Sequence, residues 1–208
     1  MDGVFMRKLK NSLLFCLVLT AVVWLCGIAG DKRMLRRELV RLHVVAASDS
    51  AEDQALKLRV KDAVVQSLTA DMERMGSAVE AKAYLRENLP KIQALANRVL
   101  ADAGSGDTAA VSLGEEAFST RVYDTFTLPA GVYDALRITI GPGEGQNWWC
   151  VAFPSLCLPA TASGFEEAAS CAGFSDTLTG TLEGEEEYEL RFWVLDAWGR
   201  LENFLHRS

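Results

Sequence analysis

The sequence predicts an α+β domain, with helices packed against an antiparallel or mixed sheet of about five strands, preceded by an N-terminal signal or anchor helix. Three observations lead to this prediction. Residues 13–29 are uncharged and apolar, residues 51–103 carry apolar side chains at helical spacing, and residues 108–157 alternate between apolar and polar. We expect three parts: a signal peptide or membrane anchor at 1–29, a basic linker at 30–38, and a single domain at 39–208.

The N-terminal segment combines a basic start with a long apolar run. Arg7, Lys8 and Lys10 precede the run, and Gly27 and Ala29 stand at the −3 and −1 positions of a cleavage site after Ala29. This order is that of a secretory signal peptide. The run is also at the lower limit for a membrane-spanning helix, so an uncleaved anchor is the alternative. In either case we expect the body to be exported.

The charge balance and the residue spacing exclude several classes of ligand. The formal net charge is −7, whereas nucleic-acid binding requires a basic face. A zinc site needs three or four closely spaced Cys or His ligands, which the sequence does not offer. The turn at 141–145 is not a phosphate cradle, because Pro142 lacks an N–H group and a strand follows instead of a helix. We therefore expect no cofactor, metal or small-molecule substrate.

The local patterns predict the elements in order along the chain. Pro90 lies inside the second helical pattern, so we expect a kink or break near residues 88–89. The later strands are expected to form an antiparallel meander of about four strands, to which the first adds a fifth. The predicted elements are a strand at 39–46, helices at 51–75 and 78–103, strands at 109–113, 119–128 and 133–140, a strand after the glycine-rich turn at 141–146, a mobile loop at 160–185 and an amphipathic helix at 188–205.

The strand after the glycine-rich turn carries two adjacent tryptophans. Strand side chains alternate between faces, so Trp148 and Cys150 share one face, while Trp149 and Val151 share the other. Because both faces are apolar, we expect this strand to lie inside the sheet or to be covered by a partner.

The body of the protein contains three cysteines. In an exported protein two of them can form a disulfide. We expect Cys150–Cys157, because Pro154 and Pro159 break the strand and allow the chain to fold back. Pairing of Cys157 with Cys171 remains open at this stage, since only geometry can decide between the two.

Catalysis is the first alternative to a binding role. A cell-envelope hydrolase would use Cys150 as nucleophile, His43 as base and Asp49 to orient the imidazole. Their spacing in the sequence matches no such site, so we expect the protein not to be an enzyme. A structural envelope protein that holds others through its C-terminal helix is the third class considered.

Three segments of the chain together resemble the stage II sporulation protein R family. They are RLHVVAASDSAEDQALKLRVKDAV at 41–64, Arg121-Val-Tyr with LPAGVYDALR at 128–137, and the segment 141–157 with its GQNWWCV core. The N-terminal apolar segment also fits this family. The family pattern commonly has Asn where Ala47 stands, and the loop at 160–185 and the C-terminal helix carry no matching motif.

The resemblance implies a non-enzymatic signalling protein of sporulation. Such a protein is exported from the forespore into the space between the two membranes, where it remains secreted or anchored through residues 13–29. It there activates a membrane-embedded aspartic protease that processes pro-sigma-E. A ligand can do so only by binding the active state of the protease more tightly than the inactive one. Candidate partner-binding residues are polar or aromatic positions outside the predicted core: Arg41, His43, Asp49, Gln54, Lys57, Arg121, Arg137, Gln146, Asn147 and Trp148. For Arg41, Asp49 and Arg137 a structural network is the alternative.

Overall fold

The computed structural model describes residues 2–123, 125–154 and 162–206, with the side chains of 2–4 and 162–164 left aside. The predicted α+β class with an N-terminal apolar helix is confirmed. The helices are α1 (Asp2–Glu38), α2 (Ala51–Met72), α3 (Ala78–Asp102), α4 (Ala162–Cys171), α5 (Asp176–Glu183) and α6 (Glu189–His206). The strands are β1 (Val40–Val45), β2 (Ala109–Phe118), β3 (Arg121–Val122), β4 (Thr127–Leu128), β5 (Gly131–Ile140) and β6 (Asn147–Phe153).

Strand β1 lies in the interior of a four-stranded mixed sheet. The strand order is β2-β5-β1-β6, with β1 parallel to β5 and antiparallel to β6. Every residue of β1 is buried, as expected for a strand that is covered on both faces. The predicted meander is therefore wrong in its order, because β1 separates β5 from β6. The tryptophan strand β6, predicted to be inner or partner-covered, lies at one edge of the sheet.

Helices α2 and α3 cover the first face of this sheet. Each begins with a serine cap: the Ser50 hydroxyl accepts from the amide of Asp53, and the Ser77 hydroxyl accepts from the amide of Glu80. Helix α3 continues through Pro90 as one element, so the predicted break does not occur. The core between these layers is formed by Val40, Leu42, Val44, Val60, Val64, Leu68, Leu85, Ile92, Ala96, Leu100, Leu136, Ile138, Ile140, Cys150 and Ala152.

The second face, opposite α2 and α3, is covered at one end by a smaller apolar cluster. Strands β3 and β4 form a separate hairpin there, so the single strand predicted at 119–128 is wrong. The rings of Tyr123 and Phe126 stack at 4.7 Å, and Phe126 stacks on Phe165 of α4 at 4.3 Å. Within the predicted loop, residues 162–171 and 176–183 are helical, which corrects that prediction. Residues 155–161 lie outside the described part.

The C-terminal helix was predicted correctly in extent but not in its contact face. Helix α6 buries Leu195, Asp196 and Gly199. The apolar positions that were expected to pack on the sheet are largely exposed: Leu190 is 64% exposed and Leu201 59%. The close approach at Gly199, rather than a broad apolar stripe, docks this helix on the start of β5.

Helix α1 joins the apolar N-terminal segment to the body without interruption. From Phe5 to Glu38 it is long and apolar enough to cross a membrane, and its first part is exposed. Ile28 and Leu35, further along, are buried against the body. The boundaries expected at residues 29 and 38 are therefore not marked by a break in the helix, and the division into anchor, linker and domain remains a proposal.

Candidate functional site

A row of mostly polar side chains, called the polar row, crosses the second face of the sheet. It lies at the end of that face that the smaller apolar cluster does not cover. Ser112, Arg137, His43 and Trp149 pair in register across β2, β5, β1 and β6. Because strand side chains alternate, these four residues point to the same face. The next row on that face is formed by Gly114, Ala135, Arg41 and Val151.

Glu116 connects this row into a chain of polar contacts. One Glu116 oxygen accepts from Arg137 Nη1 at 2.9 Å, and the two oxygens lie 2.8 and 2.9 Å from His43 Nδ1. On the other side of the imidazole, Nε2 lies 2.6 Å from Asn147 Oδ1. Glu116 itself pairs with Tyr133 of β5, so its carboxylate lies at the β2 side of the row.

Arg41 is the most deeply buried charged side chain on this face. It is fully buried, and its guanidinium lies 4.4 Å from the Phe118 ring centroid and 5.4 Å from that of Tyr133. Nη2 donates to the Tyr123 hydroxyl at 2.8 Å, and Nε donates to the Cys150 carbonyl at 3.4 Å. Among the described residues no carboxylate pairs with Arg41. Cation–π contact with two rings compensates part of the cost of burying the charge.

Arg121 lies against the tryptophan that ends the polar row. Its guanidinium carbon is 3.3 Å from the centroid of the Trp149 ring, which also stacks on His43 at 5.5 Å. Burial lowers the pKa of Arg121 from its ordinary value, and the nearby positive charge of Arg41 lowers it further, although Tyr123 acts in the opposite direction. Trp149 thus connects the polar contacts around His43 to the β3–β4 hairpin.

A second group of candidates lies at the turn between β5 and β6. Asp49 Oδ1 accepts from the amide of Gln146 at 2.7 Å. Lys57 Nζ donates to Gln54 at 2.6 Å and to the Gln146 carbonyl at 3.1 Å. Burial lowers the pKa of Lys57, and the Asp49 charge partly offsets this effect. A Cβ on Gly145 would lie 2.2 Å from the Ser48 carbonyl oxygen, so only glycine lets the two loops approach this closely.

The structure therefore separates the predicted residues into three places. Arg41, His43, Arg121, Arg137 and Asn147 gather on the second face, and Asp49, Gln54, Lys57 and Gln146 hold the two loops together. Trp148 pairs with Val44 on the first face and is 39% exposed, with Lys61 Nζ 4.8 Å from its ring.

Sequence reasoning missed Glu116, Tyr123 and Trp149. Glu116 lies between two predicted strands and was assigned to neither. The alternation at 148–151 already placed Trp149 on the face opposite Trp148, and that signal could have found it.

The hydrolase arrangement is not formed. Cys150 pairs with Leu42 and shares the first face with it, whereas His43 is on the second face. Asp49 is bound to Gln146 and not to the imidazole. Across the described ranges, no group of His, Cys, Asp and Glu side chains could hold a metal ion. Cys171 is a free, exposed thiol, and Cys157 lies outside the described residues, so the Cys150–Cys157 disulfide stays a prediction.

Comparisons with known proteins agree on one family. The family model described as stage II sporulation protein R matches residues 36–163. A stage II sporulation protein R from Bacillus subtilis (strain 168) is 33% identical over 160 residues, which covers 72% of this chain and 71% of that protein. No solved structure matches. The matched residues include all six strands and the whole polar row of the second face.

Proposed function

The chain belongs to the stage II sporulation protein R family, and on this premise we propose that it is an exported signal that activates a membrane aspartic protease, which then processes pro-sigma-E. Its role in sporulation follows from the family. The direction of export, from the forespore into the space between the two membranes, and the identity of the protease partner belong to the proposal.

The family match carries this proposal, because it covers the part of the chain in which the polar row and the β3–β4 hairpin are assembled. Two structural observations support it. Helix α1 can hold the body at a membrane surface, where a membrane-embedded partner would be met. The second face also presents cationic and aromatic groups, including Arg121, Arg137 and Trp149, on rigid strands, as a recognition surface requires.

Reconstitution outside sporulation tests the proposal. The full chain would be coexpressed in a non-sporulating host with a sigma-E-processing protease and its precursor, and with a form lacking residues 1–29 in parallel. We expect conversion of the precursor to its mature length, followed by immunoblot, only when the chain is present. Absence of conversion with both forms would contradict the proposal.

Point variants identify the surface that acts in this assay. His43→Gln and Arg121→Gln are expected to reduce processing while leaving the protein folded. Arg98→Gln is the matched control, because Arg98 is exposed on α3 and distant from the second face. Equal processing by all three variants would exclude the second face as the surface that contacts the protease.

A further inference from the structure

The side of helix α6 that faces away from the body is apolar along its described length. Positions three or four residues apart on a helix lie on the same side. On the side opposite the buried Leu195 and Gly199 these positions hold no charged residue, and we call them the α6 stripe: Leu190, Trp193, Val194, Ala197, Trp198, Leu201, Phe204 and Leu205. Trp193 is 66% exposed and Phe204 69%. A contiguous exposed apolar surface of this kind marks a contact with another surface.

The start of α6 is fixed beside the point where the apolar run of α1 ends. Arg191 Nε donates to Asp31 Oδ2 at 2.7 Å, and both side chains are largely buried. A Cβ on Gly27 would lie 3.4 Å from the Arg191 guanidinium. Because Leu190 and Trp193 are within two residues of Arg191, they lie close to the level of residues 27–31 of α1.

A lipid bilayer is the surface that meets α1 at this level. The helix from Phe5 to Glu38 is long and apolar enough to cross a membrane. The first charged residue after its apolar run is Asp31, so the boundary between hydrocarbon and headgroups falls near that residue. Tryptophan is enriched at this boundary, since its ring is apolar and its N–H group is polar. The exposed Trp193 is therefore in the layer that suits its side chain.

Acidic residues next to the stripe decide which kind of lipid it suits. Glu186, Glu187 and Glu189 are exposed at the start of α6 and in the short turn before it. Anionic headgroups repel such charges, whereas burial of apolar side chains needs no attraction between charges. The contact is therefore expected with zwitterionic lipid.

We propose that the α6 stripe, beginning at Leu190 and Trp193, rests in the headgroup layer of the membrane that α1 crosses, against zwitterionic lipid. The inference rests on the part of the proposed function that makes α1 an anchor, and it does not depend on the protease partner. A second membrane contact prevents the body from turning freely about α1. It thereby fixes how the polar row is oriented relative to the membrane.

Quenching of tryptophan fluorescence by brominated lipid tests the contact. The full chain is placed in phosphatidylcholine vesicles with and without bromine on the acyl chains near the headgroups. The emission of Trp193 is the difference between the wild type and Trp193→Phe, a change that keeps an aromatic ring at this position. Trp24→Phe provides the positive control, because Trp24 lies in the apolar run. Trp148→Phe provides the negative control, because Trp148 pairs with Val44 toward the end of β1 that is farthest from α1.

We expect the bromine to quench Trp193 by a fraction close to that of Trp24 and well above that of Trp148. Replacing part of the lipid with phosphatidylglycerol should not increase the quenching, and an increase would overturn the assignment to zwitterionic lipid. Quenching of Trp24 without quenching of Trp193 would overturn the α6 contact alone and leave the anchor and the proposed function standing. Absence of quenching at both positions would overturn the anchor as well.

Acrylamide, a quencher dissolved in water, distinguishes lipid from a second copy of the chain. Shielding of Trp193 from acrylamide should be the same at low and at high ratios of protein to lipid. Shielding that appears only at the high ratio, without quenching by brominated lipid, would mean that another copy covers the α6 stripe, and it would overturn the proposal.

Discussion

Cys150 and His43 lie on opposite faces of one sheet, although they are neighbours across the β1–β6 pair. Cys150 pairs with Leu42 and contributes to the core beneath α2 and α3, while His43 pairs with Trp149 and binds Glu116. Alternation of side chains along a strand therefore separates the thiol from the imidazole by the sheet itself. His43 therefore cannot act as a base for Cys150. The roles of the two residues can be tested independently.

Alkylation tests the redox state of Cys150. We expect that, in denatured but unreduced protein, Cys171 reacts with iodoacetamide while Cys150 reacts only after reduction. The reason is the predicted disulfide between Cys150 and Cys157. Peptide mass spectrometry distinguishes the sites, and Cys171, a free exposed thiol, is the internal control. Labelling of Cys150 without reductant would refute the pairing.

The Glu116 carboxylate is expected to stabilise the fold through its two partners on the second face. Glu116→Gln removes the charge that Arg137 and His43 contact, and we expect a loss of about 1–3 kcal/mol in the free energy of unfolding, since hydrogen bonds to charged groups fall in this range. Arg137 is nearly half exposed, so we expect its ion pair with Glu116 to account for the smaller part of this loss in unfolding free energy.

Chemical denaturation measures this loss, with Glu115→Gln as the control. Glu115 is adjacent in β2 and pairs with Arg36 while half exposed, and such surface pairs are worth about 0–1 kcal/mol. Equal stability of the two variants would mean that the contacts of Glu116 with Arg137 and His43 do not stabilise the fold.

The fold could be predicted from sequence as far as local patterns reach. Helices α2 and α3 and strand β5 follow from period and caps alone. The strand order of the sheet could not be predicted, because β1 pairs with β5 and β6, which lie about 90 to 110 residues further along the chain. The apolar–polar alternation within each strand would be the same if the strands formed a meander. Helices α4 and α5 were missed because they are only 10 and 8 residues long and contain Gly, Ser and Thr, which are poor helix formers. Burial of Phe165, Leu178 and Leu182 stabilises them through tertiary contacts.

The candidate site was predicted only in part, for a related reason. His43, Arg137 and Asn147 were selected as polar residues on predicted strands, and the structure brings them together. Their connection through Glu116 depends on the register of β2 against β5. Register is a tertiary property, so no reading of one strand reveals it.

The pH dependence of stability should contain a contribution from Asp196. Burial raises the pKa of this carboxyl, but donation from the Ala130 amide, the Thr120 hydroxyl and Arg200 outweighs burial, and the pKa lies below its ordinary value. A group whose pKa is lower in the folded state stabilises above its unfolded pKa of about 3.9, and this contribution is lost as the pH falls toward the folded value.

The variant Asp196→Asn makes that contribution measurable. We expect a loss of about 1–2 kcal/mol at pH 7, since charge-assisted hydrogen bonds are weakened. The loss should shrink as the pH falls below about 4, because the unfolded chain takes up a proton at Asp196 there, while the folded carboxyl does so only at still lower pH. Asp62→Asn, at an exposed position on α2, serves as the control and should change little. A penalty that stays constant from pH 7 to pH 3 would mean that the charge of Asp196 does not contribute.

The packing of α1 on the body depends on Ile28, which is buried although it belongs to the apolar run. Ile28→Ala is expected to cost about 2–4 kcal/mol of unfolding free energy, as for other buried large-to-small changes. Val23→Ala, at an exposed position on the same helix, should leave unfolding in detergent unchanged. Because cleavage after Ala29 would remove Ile28, equal stability of the two variants would favour a cleaved signal peptide over an anchor.

The docking of α6 depends on the absence of a side chain at Gly199. A Cβ there would lie 1.5 Å from the Ala130 carbonyl oxygen and 2.3 Å from its carbon, so Gly199→Ala requires a backbone shift. Alanine improves intrinsic helix stability by about 1 kcal/mol relative to glycine. Overpacking typically costs 1–3 kcal/mol, and a backbone clash this close is at the upper end or beyond it, so we expect a net loss.

Gly30→Ala is the matched control for this change, since Gly30 is also helical and a Cβ there would meet nothing within 4 Å. The control keeps the gain in helix propensity and lacks the clash, so its unfolding midpoint in denaturant should equal or exceed that of the wild type. Gly199→Ala should unfold at a lower denaturant concentration. Limited proteolysis should then cut α6 first, because most of its apolar residues are exposed and the Asp196 hydrogen bond to the Ala130 amide lies at the same close approach. A Gly199→Ala protein as stable and protease-resistant as Gly30→Ala would show that α6 docks elsewhere.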